Sequence, residues 1–338
     1  MIGRGGLAAG LLRRPSSAIV CLALSAGLLC ACGARPAAPH MAYVSDEQAN
    51  LVHVIDGRSG RLVGDIPTGA RPRGMAVSRD GRTLYVAAGK ADRIDVVDLG
   101  SRRVVGQLPS GPDPERFALS PDGAALYVAN ENDSKASKVD IPARRIVWQT
   151  AVGPEPEGMA VSPDGRWVIC TSESASLVHF IRASDGRLVQ SVLVGTRPRD
   201  ARFSPDGRRL WVSSEARATV AVFDPSTRRV LHTVDFEQDP VSPDVQAVGL
   251  AMNRKGDRVY VGLGRGDRVA EVDAATYRIL RYFKAGHRVW GVALSPDETR
   301  LYAANGLSGN VSVIDLKSGR TVATVRTGGR PWGVATAP

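Results

Sequence analysis

A unit of 42 residues recurs through this chain, and nothing else in the sequence restricts the possible folds as severely. The pattern Leu/Val-Tyr/Trp/Ile, followed by Val, Cys or Ala, begins at Leu84, Leu126, Val168, Leu210, Val259 and Leu301, at spacings of 42, 42, 42, 49 and 42 residues. One period before Leu84, Ala42 opens a seventh copy with Tyr43-Val44-Ser45. In the same phase, Ser-Pro-Asp-Gly stands at 120–123, 162–165 and 204–207, with variants at 78–81, 253–256 and 295–298. Self-similarity at such a period is the signature of like modules, none of which buries its apolar faces alone.

Within a unit, short apolar runs alternate with turn signals. Gly158-Met-Ala-Val161 leads into Ser-Pro-Asp-Gly; Val168-Ile-Cys-Thr171 and Leu177-Val-His-Phe-Ile181 follow, then Ala183-Ser-Asp-Gly186 and Leu188-Val-Gln-Ser-Val192. Pro presets φ and Gly tolerates a positive φ, so the tetrapeptides read as tight turns between four antiparallel strands. The runs are continuously apolar rather than alternating, which calls for sheets covered on both faces. Radial packing of such sheets makes a propeller, whereas a solenoid needs polar caps that are not visible here. The expected fold is all-β, a seven-bladed β-propeller of four-stranded antiparallel blades over residues 42–338. The first copy starts at a second strand, and Trp332-Gly-Val-Ala-Thr336 matches a first strand. The C-terminal strand should therefore join the first blade beside residues 42–68 and close the ring.

Residues 1–31 carry Arg4, Arg13 and Arg14, no acid, and an apolar stretch from Ala18 to Ala31 too short for a comfortable span. This is the layout of a signal peptide, followed by a Pro-Ala-rich tether at 32–41. Leu29-Cys30-Ala31-Cys32-Gly33 resembles a bacterial lipoprotein box, which makes Cys32 the expected lipidated residue and a lipid the expected membrane attachment. Ordinary cleavage nearby and an uncleaved anchor are the alternatives, and Arg13-Arg14 only weakly resembles a twin-arginine signal. The expected location is the periplasm or cell surface. Cys170 is the one cysteine of the propeller segment, so no disulfide forms within it, and a lone Cys in an apolar strand reads as a small core residue.

The net charge is +10, or +7 once residues 1–31 are removed. Both signs are interspersed and no run of five like charges occurs, so the excess reads as a solvated surface and excludes a nucleic-acid partner. The five histidines lack metal-ligand spacing, and neither Cys-x-x-Cys-His nor Gly-x-Ser-x-Gly occurs. No catalytic residue, metal or cofactor is therefore expected, and His53 and His179, in equivalent third strands, read as packing residues.

Leu126-Tyr-Val-Ala-Asn130 and Asn310-Val-Ser-Val-Ile-Asp315 resemble the YVTN-type propeller repeat, across residues 42–338. Closer still is the similarity to the β-propeller family associated with pyrroloquinoline-quinone (PQQ)-dependent catabolism, carried by Ser110-Gly-Pro-Asp-Pro-Glu115, Glu155-Pro-Glu-Gly158, Leu210-Trp-Val-Ser-Ser-Glu215 and the Phe236-to-Val248 insertion. The resemblance implies a periplasmic accessory protein grouped with quinoprotein alcohol dehydrogenases, and it brings no catalytic residues.

Variation between copies concentrates at one rim. Immediately before the first strand stand Arg73, Glu115, Glu157, Arg199, Val248, Trp290 and Trp332; two residues earlier stand Arg71, Asp113, Glu155, Arg197, Gln246, Arg288 and Arg330. Four second strands end at Glu47, Glu131, Glu173 and Glu215. These side chains should ring one mouth of the channel, either as mutual ion pairs or as a site for a polar ligand or protein partner. Trp290 and Trp332 would there stack a planar or sugar-like ligand, anchor a partner, or pack between blades. Arg202 replaces a first-strand Ala and would be neutralised by Glu157, Glu173 or Glu215. The excess around Gln238 to Asp244 falls on the same face, as a lid or a mere length difference. The leading reading is a non-enzymatic binding or scaffold protein; the runner-up is a lactonase-like hydrolase or an oxidoreductase subunit using the charged rim.

Overall fold

The computed structural model describes residues 40–236 and 244–337. The export segment, Cys32, the tether up to residue 39 and nearly all of the 238–244 segment lie outside the described residues. What is described is a seven-bladed β-propeller of seven four-stranded antiparallel sheets. Blade 1 combines Pro331–Ala337 with Met41–Asp46, Leu51–Asp56 and Arg61–Pro67. Blades 2 to 7 follow in chain order, with first strands Pro72–Val77, Pro114–Leu119, Pro156–Val161, Pro198–Phe203, Leu250–Met252 and Val289–Leu294. The closure expected from the split repeat is present: Tyr43 pairs with Ala335 and Val44 with Val334. This gives the second strand of blade 1 its missing neighbour, so it is not left as an open edge.

The recurrent tetrapeptide makes one hydrogen-bonded turn. Ser120 Oγ donates to Asp122 Oδ1 at 2.5 Å and accepts the Ala125 N–H at 2.9 Å, while Gly123 holds a φ of +75°. Ser162, Ser204 and Ser295 repeat the bonds. Between blades the core is apolar on both sheet faces: Ile169, Val178 and Phe180 of blade 4 meet Leu210, Val212 and Phe223 of blade 5. Each such side chain contributes roughly 1.5–3 kcal/mol by leaving water. Cys170 belongs to a neighbouring cluster, and burial pushes its thiol far above the usual range, which makes it a packing residue and no nucleophile.

The first strands touch one another in a closed circuit around the axis. Their approach depends on glycine. A Cβ on Gly74 would lie 2.7 Å from the Glu115 carbonyl oxygen, and one on Gly333 would lie 2.7 Å from that of Arg73. Gly158, Gly249 and Gly291 occupy the same position and meet the next blade's backbone in the same way. Blades 3 and 5 depart from this column with Arg116 and Asp200.

Candidate functional site

The rim residues identified from the sequence are delivered by a shared backbone corner. Arg71, Asp113, Glu155, Arg197 and Arg288 all hold a φ between 52° and 63°. The left-handed region costs a non-glycine residue on the order of 1 kcal/mol, and its use at equivalent positions of five blades makes the corner part of the framework. Only the side chain differs from blade to blade.

Those side chains condense into two ion-paired groups. On blades 1 to 3, the Arg71 guanidinium bonds to Asp113, to Glu115 at 2.6 Å and to Glu131 at 3.3 Å, while Arg73 stands 3.1 Å from Glu47 and 3.3 Å from Glu115. The three carboxylates around Arg71 lie close enough together to hold a metal ion, but the guanidinium already bridges them. On the other side, Arg199 bonds to Glu157 at 2.8 Å and to Glu173, and lies 3.1 Å from Glu215. Arg197 pairs with Glu173, and Arg288 binds Glu215 at 2.7 Å and Gln246. Glu155 bonds to Ser174 and remains exposed; Arg330 is exposed too, its backbone N–H donating to Asp46.

The two tryptophans stand between these groups, ring centroids 6.5 Å apart. Arg73 and Arg116 lie over Trp332 at 4.9 and 4.4 Å, and Arg199 and Arg288 over Trp290 at 5.1 and 4.0 Å, all within cation–π range. Trp332 is 1% exposed and Trp290 half-buried. Their faces are therefore engaged by the protein's own guanidinium groups.

Burial, then the neighbouring Glu157 charge, push the Glu115 carboxyl well above the ordinary range, Arg73 and Arg71 notwithstanding. Burial raises Glu173 as well, against the opposing pull of Arg199. At Glu131 burial also works upward, but the hydrogen bond with Glu115 and the Arg71 charge outweigh it and hold the carboxyl low. Glu115 and Glu131 thus have the split character of an acid and a base, yet Glu115 is 0% exposed beneath Arg71.

The structure corrects the sequence reading of Arg202. Its side chain is not with Glu157, Glu173 or Glu215; it is exposed in a cavity of about 530 Å³ reached from the Ser-Pro-Asp-Gly face, and it donates to the Leu250 carbonyl at 3.1 Å. The reason is strand direction, since Arg202 lies three positions further down the descending strand than Arg199. The sequence reading also missed Arg116 and Asp200, which pair at 3.5 Å and line this cavity. Their signal was available as the two departures from the glycine column. At the rim itself, Glu47, Gln48, Arg71, Arg73, Lys90 and Arg330 line a basic depression of about 490 Å³.

No protein-family model matches the chain, and no curated protein matches it. Solved structures do. Hydrazine synthase of Kuenenia stuttgartiensis superposes with a TM-score of 0.74 at 24% identity, covering 81% of this chain and 91% of that one. A periplasmic gluconolactonase of Pseudomonas aeruginosa gives 0.75 at 21%, covering 89% and 99%. A functionally unknown protein of Desulfotomaculum acetoxidans gives 0.77 at 17%, covering 88% and 98%. At these identities the likeness is one of fold, shared by enzymes and by a protein of unknown role. On sheet topology and on these neighbours alike, the chain is a seven-bladed β-propeller.

Proposed function

We propose that this chain is an exported, non-enzymatic accessory protein that binds a polar or acidic partner at its charged rim, in the setting of periplasmic quinoprotein alcohol catabolism. One observation carries the non-enzymatic part. The carboxylates that an acid–base enzyme must present to substrate are sealed beneath arginines, with Glu115, Glu157, Glu173 and Glu215 each at most 5% exposed. A rim held this way is rigid, and rigidity lowers the cost of ordering an interface. On the side of blades 1 and 2, what it leaves to solvent is mainly basic: Lys90 and Arg330 are exposed beside half-buried Arg71 and Arg73. The PQQ link rests on the resemblance of the 110–115, 155–158 and 210–215 stretches, and export on residues 1–31 with a lipid on Cys32.

A second reading has one specific support, the acid and base character of Glu115 and Glu131. Lactones, glycosides and quinone-linked alcohols offered to the purified protein should give no turnover. Turnover abolished by Glu115→Gln would establish the enzyme instead. For the accessory role, a deletion strain should lose quinoprotein-dependent growth on an alcohol, the wild-type gene should restore it, and the Lys90→Glu/Arg330→Glu double variant should not. Full rescue by that variant removes the rim from the function. Cys32→Ser should move the protein from the membrane to the soluble periplasmic fraction, and an unchanged distribution denies the lipid.

A further inference from the structure

The end of the channel opposite the rim has a different character. Its cavity of about 530 Å³ falls within the roughly 300–1,000 Å³ typical of small-molecule sites. Its lining is mixed: half-buried Met75, Val161, Met252 and Val334 supply apolar surface, beside Ser204, Asn253, the Arg116–Asp200 pair and the buried Trp332. Two of its three arginines are neutralised: Arg116 lies 3.5 Å from Asp200, and Arg254 lies 3.4 Å from Glu298. Arg202 is not. Among the described residues no carboxylate lies within ion-pair distance of it, and its one hydrogen bond goes to a backbone carbonyl. The other six first strands carry Ala at this position, so one guanidinium stands at a level where every other blade presents a methyl group.

We propose that this cavity binds a small amphipathic organic anion, a carboxylate with an apolar body, whose head is held by Arg202 and whose body lies against Met75, Val161, Met252 and Val334. Two features favour that class. The guanidinium fork matches a carboxylate in a bidentate way, through charge-assisted hydrogen bonds. The cavity carries one uncompensated positive charge, which a monoanion balances. The proposal is independent of the rim, which lies beyond the Arg116–Asp200 pair, so either can fail without the other.

The test is isothermal titration of the full-length protein with octanoate, and with 1-octanol as the neutral molecule of equal chain length. Octanoate should bind at least about tenfold more tightly than octanol, the scale of one charge-assisted hydrogen bond. Arg202→Ala places in blade 5 the residue of the other six blades and should fold; it should weaken octanoate about tenfold and leave octanol unchanged. Arg202→Lys should keep part of the preference, and Arg320→Ala, at an exposed outer-strand arginine, should leave both affinities unchanged. Equal affinity for the two probes, an unaffected Arg202→Ala, or binding of neither probe overturns the proposal. Should Arg202→Ala fail to fold, Arg202→Gln removes the charge at similar length, and retained octanoate preference there overturns it equally.

Discussion

Arg116 and Asp200 form an ion pair at 3.5 Å between the first strands of blades 3 and 5, past Gly158 of the intervening blade 4. Each replaces a glycine of the column that lets the strands converge, and each side chain is largely buried. Rim network and cavity therefore meet at a polar partition, which lines the cavity and reaches Trp332 of the rim.

Removing half of that partition leaves the other charge alone. Arg116→Gly or Asp200→Gly should each cost about 3 kcal/mol, whereas the double variant, which restores the glycine column in full, should lose clearly less than the sum. Urea denaturation of the four proteins closes the cycle, and strict additivity would show that the two residues do not interact.

Arg199 touches Glu157, Glu173 and Glu215. Arg199→Met leaves these buried carboxylates short of a cation and should destabilise by about 3–5 kcal/mol at neutral pH. The Arg199 charge acts downward on Glu173 and Glu215, so losing it raises the folded-state pKa values of those two carboxyls. The stability tied to such groups is complete below the unfolded pKa, about 4.3, and is lost as pH rises toward the raised folded value. The deficit of the variant should accordingly shrink between pH 7 and pH 5 in chemical denaturation, and a deficit equal at both pH values contradicts this account.

His53 and His179 occupy the same position in blades 1 and 4 and should titrate in opposite directions. Burial lowers both, but His53 bonds to Asp46 and to Asp65, and the carboxylates reverse the shift and raise it. His179 has Ser172 and Ser191 in those places, so burial prevails and its pKa falls to about 4. The His53 contribution is fully present below about pH 6.5 and is lost as pH rises through its raised folded value; the His179 term is harmless above pH 6.5 and costs on the order of 3 kcal/mol as pH falls to about 4. Imidazole titration by NMR should resolve the pair, and Ser191→Asp should carry His179 upward. An unmoved His179 in that variant rules the explanation out.

The closing strand Pro331–Ala337 bonds to Met41–Asp46 and touches the first strands on both sides. Truncation after Arg330 removes one of seven inner strands and bares two blade faces and a sheet edge. The truncated chain should show no cooperative thermal transition, while a circular permutant that places residues 331–337 before Met41 through a Ser-Pro-Asp-Gly turn should unfold like the wild type. A cooperative transition in the truncated chain would mean that the ring does not need its clasp.

The fold was legible because its determinants are local and repeated. Ser120, Asp122 and Gly123 build their turn from their own hydrogen bonds and φ, and the split first copy announces the closing strand. The rim was legible in part. Aligned copies show that Arg71, Glu115, Glu157 and Arg199 share a level, since a common backbone corner sets it. They do not show that Arg71 binds blade 3 or that Arg288 reaches Glu215 two blades away. Arg202 was misplaced because alignment by copy fixes a residue's height in a strand without stating which neighbours reach that height.

The sequence by itself determined the number of blades, their four strands, the turns and the closure, because each follows from short-range periodicity and backbone chemistry. Only the tertiary structure decided which charges neutralise one another, that Trp290 and Trp332 are covered by the protein's own arginines, and that the open cavity lies away from the rim. Those outcomes depend on distances across the axis, between residues far apart in sequence, 42 positions for Arg199 and Glu157 and 73 for Arg288 and Glu215, where burial and electrostatics act through space and leave no periodic trace along the chain.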